Sequence, residues 1–281
     1  MAHPYHGRGP CSEFGEIIGM CGISSNPAGD FRGTVKRVTR ITPKIFSMEI
    51  ECPPLSRAAR PGQFVMIRIG GVTDPLLGRP LAVYFRNGDS FSVCFQVVGR
   101  MTVLLSEALP GTVLSVRGPV GNGFGNPPSK VTMVAGALGV APLLFAYTEN
   151  QVGTEKDFIL GIADGEWIPF CEWIGKIVPD VRIFSEDGSI GTKGNVLSGL
   201  SVPMQEGSEI WACGPIPMLR AISGKFPSDG ERIKVSLETR MACGMGGCLG
   251  CSINTIHGKK RVCVDGPVFS AKEVCWDDLR G

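Results

Sequence analysis

The pattern of apolar and polar positions changes twice along the chain. In the stretches 31–41, 45–52, 64–69, 81–85, 90–98 and 112–117, apolar residues alternate with polar ones as in half-buried strands. Turn residues punctuate them: Thr42-Pro43, Pro61-Gly62-Gln63, and Asn87-Gly88-Asp89, which is a hairpin signal. Residues 102–108 carry a short helical pattern that stops at Pro110-Gly111. About six short strands in some ninety residues predict a small antiparallel barrel.

After Pro127-Pro128 the period lengthens. The stretch 131–135 is wholly apolar, as a strand buried in a parallel sheet must be. It passes through Gly136-Ala137-Leu138-Gly139 into a helical segment at 141–149. Strand patterns at 157–162, 181–185 and 209–212 then alternate with helical stretches at 167–178 and 217–223, and 195–200 follows a glycine loop. This alternation predicts an open α/β nucleotide-binding domain. From about residue 229 the grammar changes again, with a strand at 232–237 leading into a cysteine-rich end. The expected organisation is an extension (1–30), an antiparallel barrel (31–126), a parallel α/β domain (127–228) and a small cysteine module (229–281).

The cysteine module carries the most specific chemistry. Cys243, Cys248 and Cys251 are spaced Cys-x4-Cys-x2-Cys, and Cys263 follows after eleven intervening residues. This is the plant-type ligation pattern of a [2Fe–2S] cluster. Three of the four residues between Cys243 and Cys248 are glycines. They let the backbone take positive φ and bring its amides close to sulfur. Zinc, a disulfide framework and unligated thiols are the competing readings. Zinc sites usually show two paired knuckles, whereas Cys263 has no near partner, and a chain of this size needs no disulfide scaffold.

Composition narrows the classes. The 281 residues carry eleven cysteines, 19% charged residues, a net charge of +2 and a mean hydropathy of +0.15. No basic run points to nucleic acid, and no apolar run reaches the ~18 residues of a membrane span. The N-terminus has no apolar core of the signal-peptide kind. The expected setting is the reducing cytoplasm, with Cys11, Cys21, Cys52, Cys94, Cys171, Cys213 and Cys275 as idle thiols. A sparsely charged surface points to a subunit that covers part of itself with a partner.

Further motifs point to ligands. Arg79-Pro80-Leu81-Ala82 opens a barrel strand, where a guanidinium fork can meet a pyrophosphate, although Arg-Pro at a strand start is commonly structural. Gly121 and Gly123 lie in Gly118-Pro119-Val120-Gly121-Asn122-Gly123-Phe124, a loop that can approach a diphosphate or serve as an ordinary interdomain turn. Gly136 and Gly139 end a buried strand and open a helix, as a dinucleotide phosphate requires. Cys213-Gly214-Pro215 ends a later strand, where glycine leaves room for a nicotinamide and Cys213 reads as a small lining residue. Only three histidines are present, His3, His6 and His257, and no acid–base pair stands out. Hydride transfer between nicotinamide and flavin needs none.

The order of these motifs resembles the ferredoxin–NADP reductase superfamily over 31–228, followed by a [2Fe–2S] module. It most resembles the electron-transfer subunits of NAD-dependent dihydroorotate dehydrogenase. The match is carried by Arg79-Pro80-Leu81-Ala82, by Asp187-Gly188-Ser189-Ile190-Gly191-Thr192-Lys193-Gly194, and by the cysteine loop with Arg261-Val262-Cys263-Val264-Asp265-Gly266-Pro267-Val268-Phe269. The resemblance implies FAD against the barrel, lined by Arg79, Pro80, Leu81, Ala82, Cys94, Phe95, Gln96, Met101 and Thr102. It also implies NAD(H) over the α/β domain, a cluster on the four cysteines, and a catalytic partner subunit holding FMN in a hetero-oligomer of pyrimidine biosynthesis. Ala82 stands where the family usually has Ser, Met101 where it has Gly, and the turn at 136–139 is poorer in glycine than is typical. Two other functions remain open at this point. One is the same relay in another complex, of the NADH-dependent ferredoxin:NADP oxidoreductase or hydrogenase type. The other is a nucleotide or redox sensor whose pockets have decayed. In the former oxidoreductase one cluster ligand is typically Asp, which four cysteines argue against.

Overall fold

The computed structural model describes residues 29–149 and 153–279. The extension, with His3, His6, Cys11 and Cys21, lies outside them apart from its last two residues. The first body is a closed six-stranded antiparallel barrel of order β1-β2-β5-β4-β3-β6. Its strands are β1 (Gly29–Arg40), β2 (Ile45–Glu51), β3 (Phe64–Ile69), β4 (Arg79–Asn87), β5 (Ser90–Gln96) and β6 (Val113–Val120). Two short helices plug it, α1 (Pro53–Ala58), which the apolar pattern did not announce, and α2 (Arg100–Ser106). Closure leaves no free edge, and the inward residues Met48, Ile50, Val65, Ile67, Val93 and Val116 are fully buried.

The second body is a seven-stranded sheet. In chain order it contains β7 (Lys130–Gly136), α3 (Val140–Thr148), β8 (Glu155–Ile162), α4 (Ile168–Gly175), β9 (Arg182–Ser185), the two-residue β10 (Thr192–Lys193), β11 (Ser208–Cys213), α5 (Ile216–Lys225) and β12 (Ile233–Ser236). The hairpin β13 (Ser252–Thr255) and β14 (Gly258–Arg261) follows, then β15 (Val268–Ser270). The sheet order is β10-β9-β8-β7-β11-β12-β15, parallel except for β15. The sheet therefore runs past residue 228: β12 pairs with β11, and β15 returns from the cysteine end to pair with β12. Residues 195–200, which follow the glycine loop, contain a single 3-10 turn at Val196–Gly199.

The two bodies are joined tightly. Helix α3 is apolar all round because it is covered on both sides, by the sheet and by barrel strand β4. Its Phe145 belongs to the barrel core. Arg86 of β4 closes a bidentate pair with Glu149 at 2.8 and 2.7 Å. At the barrel exit, Phe124 stacks on Trp211 of β11, centroids 4.7 Å apart. Lys234 lies over the same indole, pairs with Glu209 at 2.9 Å, and donates to the Phe124 carbonyl. The Trp211 Nε1–H donates to Glu209 at 2.6 Å, so the buried polar groups of the joint are satisfied.

Candidate functional site

Two clefts and a cysteine loop follow one another across the molecule. The first cleft, about 300 Å³, opens between the barrel, α3 and the chain leaving β12. Its barrel wall is Arg79, Pro80, Leu81 and Ala82 from β4, with Cys94, Phe95 and Gln96 from β5 and Thr102 from α2. These residues are brought together because β4 and β5 are neighbours in the barrel. The facing wall was not assigned to this cleft from the sequence: Leu138, Ala141 and Pro142 from the turn into α3, Ser236 at the end of β12, and Leu237, Glu238, Thr239 and Met241 from the chain after it.

That facing wall carries a polar anomaly. The Thr239 hydroxyl is buried without a hydrogen-bond partner, alone in this among the described residues. A buried unpaired hydroxyl costs about 1–3 kcal/mol and is a sign of a polar ligand. Glu238 is exposed to the open cleft, and desolvation by the surrounding walls holds its carboxyl above the ordinary 4.5. Burial pushes the Cys94 thiol up to about 12, so it serves as a neutral lining group.

The second cleft, about 380 Å³, lies at the C-terminal edge of the parallel strands. The strand order reverses at β7, flanked by β8 on one side and β11 on the other. Open α/β sheets bind ligands at this switch point. Gly136 and Pro215 line it, together with Ala163, Trp167 and Glu186 and, at the far wall, Gly194 and Asn195. Gly194 ends the Asp187–Gly194 motif, whose Gly191 has φ +67° and approaches the Ile183 carbonyl closely. Ala137 sits in the left-handed region at φ +47°, a position glycine would take without strain. Gly136 and Ala137 face this cleft while Leu138, the next residue, faces the first, so one turn separates the two.

Several expected lining residues lie elsewhere. Met101 is fully buried in the barrel core and does not intrude on the cleft. The adjacent Thr102 hydroxyl instead accepts from the Val98 and Gly99 amides at the start of α2. Gly121 and Gly123 serve chain-to-chain approach. A Cβ at Gly121 would lie 2.5 Å from the Gly266 carbonyl, and one at Gly123 2.3 Å from that of Pro61. Between them Asn122 donates to the Val264, Asp265 and Gly266 carbonyls, clasping the barrel exit to the cysteine module. Gly139 and Gly214 likewise pack on neighbouring backbone, against Cys213 and Gly136. Cys213 is buried, in neither wall, with its thiol pushed well up by desolvation.

The cysteine loop begins two residues beyond Met241 of the first cleft. Gly244, at φ +65°, lies against Met66 of β3, where any side chain would collide. Desolvation pushes the Cys243 thiol up, but the amides of Met245, Cys248 and Gly247 outweigh it and bring it down to about 6. Cys251 and Cys263 have their sulfurs 3.3 Å apart. Two thiolates on one tetrahedral iron lie about 3.7 Å apart if the metal–sulfur bonds are ~2.3 Å. Among the described residues no group of three or more His, Cys, Asp or Glu is gathered tightly enough for a single metal ion. The sulfurs form two pairs, Cys243 with Cys248 and Cys251 with Cys263. Paired thiolates with amides turned toward them suit a two-iron core.

Comparison with known proteins agrees with this geometry. A family model described as the iron-sulfur cluster binding domain of dihydroorotate dehydrogenase B matches residues 238–275, which include all four cysteines. The chain is 35% identical over 258 residues to the dihydroorotate dehydrogenase B (NAD(+)) electron transfer subunit of Desulforamulus reducens, covering 88% of this chain and 98% of that one. Among solved structures it is similar to a chain of an NADH-dependent reduced ferredoxin-NADP oxidoreductase. There the identity is 30%, the TM-score 0.77 and the coverage 88% of this chain and 91% of that one. A ferredoxin NADP+ reductase from Neisseria gonorrhoeae with bound FAD and NADP shares the fold, at 16% identity, TM-score 0.56 and coverage of 68% and 87%. The chain belongs to the family of dihydroorotate dehydrogenase B electron transfer subunits.

Proposed function

We propose that this chain relays electrons between NAD(H) and a catalytic partner subunit of the dihydroorotate dehydrogenase type, in pyrimidine biosynthesis. The observation that carries the reading is the continuity of the three sites. One turn, Gly136-Ala137-Leu138, divides the two clefts, and Met241 in the first cleft is two residues from Cys243.

In this reading the first cleft holds FAD. Arg79, Pro80, Leu81 and Ala82 present the β4 backbone and guanidinium to it, Cys94, Phe95 and Gln96 flank it, and Thr239 finds there the hydrogen-bond partner it lacks. The second cleft holds NAD(H), with Gly136 giving close backbone approach and Glu186 as the carboxylate available to a ribose hydroxyl. Cys243, Cys248, Cys251 and Cys263 hold a [2Fe–2S] cluster. When bound, a flavin converts between a two-electron hydride and single electrons, and such a cluster takes electrons one at a time. The chain's own residues bind and orient: α3 and the 236–241 segment shield the flavin cleft from water, and the Asn122 clasp keeps the cysteine module on the barrel. No helix among the described residues is long and apolar enough to cross a membrane, and none of the nine described cysteines is in a disulfide; in this reading the chain works in the cytoplasm.

A second partner class is favoured by one observation, the 30% identity and 0.77 TM-score to the oxidoreductase chain. Dihydroorotate-dependent reduction of NAD⁺ by the complex purified from its native cells separates the two. Activity with dihydroorotate supports the first reading. A complex that instead exchanges electrons between ferredoxin and NADP(H) replaces it with the second.

A further inference from the structure

We propose that Arg117 of β6, balanced by Asp30 of β1, sets the reduction potential of the cluster from outside the cysteine module, the guanidinium raising it and the carboxylate lowering it. This rests on the cluster reading above.

Arg117 and Asp30 are direct cross-strand partners in the β1–β6 ladder. The Arg117 Nε and Nη2 donate to both Asp30 carboxylate oxygens at 2.8 and 2.9 Å. Its remaining nitrogen, Nη1, leaves the barrel and donates to the Cys243 carbonyl at 2.8 Å. The guanidinium is thus held between an anion on its outer side, with a side chain 64% exposed, and the first cluster ligand on its inner side. It is close enough for the Cys243 sulfur to act on it electrostatically. Of the other charged groups nearby, Arg68 acts on Asp30. Arg261 is paired with Asp265 four residues along, within the module itself. Arg117 is therefore the cation that the barrel contributes to the loop.

Reduction adds one electron to the group held by the four sulfurs, with no bond broken and no proton required. A fixed positive charge beside it favours the reduced state, and a negative charge disfavours it. Asp30 is farther from the loop than Arg117, since the guanidinium lies between them. Removing either charge should therefore move the potential in opposite directions. A pair that merely staples the loop to the barrel would not behave so, because loss of either partner would loosen the same contact.

The test is a dithionite titration of the full-length chain, followed by the electron paramagnetic resonance signal of the reduced cluster. Arg117→Gln should shift the one-electron equilibrium toward the oxidised form by on the order of tenfold, about 59 mV downward. Asp30→Asn, which keeps the Arg117 bond to the Cys243 carbonyl, should shift it upward, and Arg117→Lys should retain most of the native potential. If Arg117→Gln loses the cluster, Asp30→Asn alone decides. Shifts of the same sign in the Gln and Asn variants, or an unmoved potential in Asp30→Asn, overturn the inference. An unmutated chain that gives no reduced-cluster signal overturns the cluster reading itself.

Discussion

Replacing Thr239 by Val separates the cost of an unpaired hydroxyl from its use. The group is buried in the wall of the barrel cleft and has no partner in the protein alone. An unsatisfied buried hydroxyl costs about 1–3 kcal/mol, and an apolar replacement of the same shape removes that cost. Thr239→Val should therefore stabilise the flavin-free protein by about 1 kcal/mol, or ~2–4 °C in melting temperature for a chain of this size. With flavin bound the sign changes, because a hydrogen bond worth about 0.5–1.5 kcal/mol is lost. The two effects add in the binding equilibrium, to about 1.5–2.5 kcal/mol, so FAD affinity should fall on the order of ten- to seventyfold, and the gain in melting temperature on adding FAD should shrink accordingly. Thermal unfolding of the stripped protein, with a fluorescence titration of FAD, reads both numbers. If Val lowers the melting temperature of the stripped protein and leaves FAD affinity unchanged, the hydroxyl already has its partner within the fold and the argument fails.

Other outcomes follow from single contacts. Cys248→Ser should abolish the visible absorption of the cluster while leaving that of the flavin; survival of the cluster would show that the fourth ligand lies elsewhere. Ala137→Gly should raise stability by about 0.5–1 kcal/mol, the relief of a left-handed alanine less the added freedom of the unfolded chain; denaturant unfolding that shows a loss would refute the strain. Phe124→Ala, which empties one side of the stack on Trp211, should cost about 3–5 kcal/mol and red-shift the tryptophan emission; an unchanged spectrum would show that the joint is not the buried contact described. The hydrogen bond from Arg117 holds the Asp30 carboxyl below its ordinary 3.8. Its contribution to stability is thus present above about pH 4 and lost as pH falls through the lower folded value. Asp30→Asn should remove that part of the acid sensitivity, and an acid-unfolding curve identical in shape to that of the native chain would contradict it.

What the sequence made legible was what local chemistry dictates. Alternation gave the barrel strands because one face of each is buried, and the apolar run at 131–135 gave a strand covered on both faces. The cysteine spacing gave the ligand loop because three thiolates must leave one tight turn. Long-range contacts were not legible. Met101 reads as a flavin-lining residue beside Thr102, but α2 turns it inward to plug the barrel. Gly121 and Gly123 read as ligand-approach glycines, and their small size is used instead against Gly266 and Pro61. Glu238, Thr239 and Met241 carry no motif of their own. They line the first cleft only because β12 joins the parallel sheet and delivers the chain there. At the second cleft the local hints were Gly136 and Pro215, which do line it, and the glycine-dense 187–194 segment contributes its last residue, Gly194, to the far wall.

The central claim is that the two clefts and the cysteine loop are one electron path. Anaerobic titration of the purified chain with NADH, followed by visible absorption and by electron paramagnetic resonance, tests it most directly. The account predicts a yellow-brown protein in which NADH bleaches the flavin bands and the signal of a reduced [2Fe–2S] cluster appears in step. A flavin that NADH reduces while the cluster stays oxidised, at potentials where dithionite readily reduces it, would contradict the path.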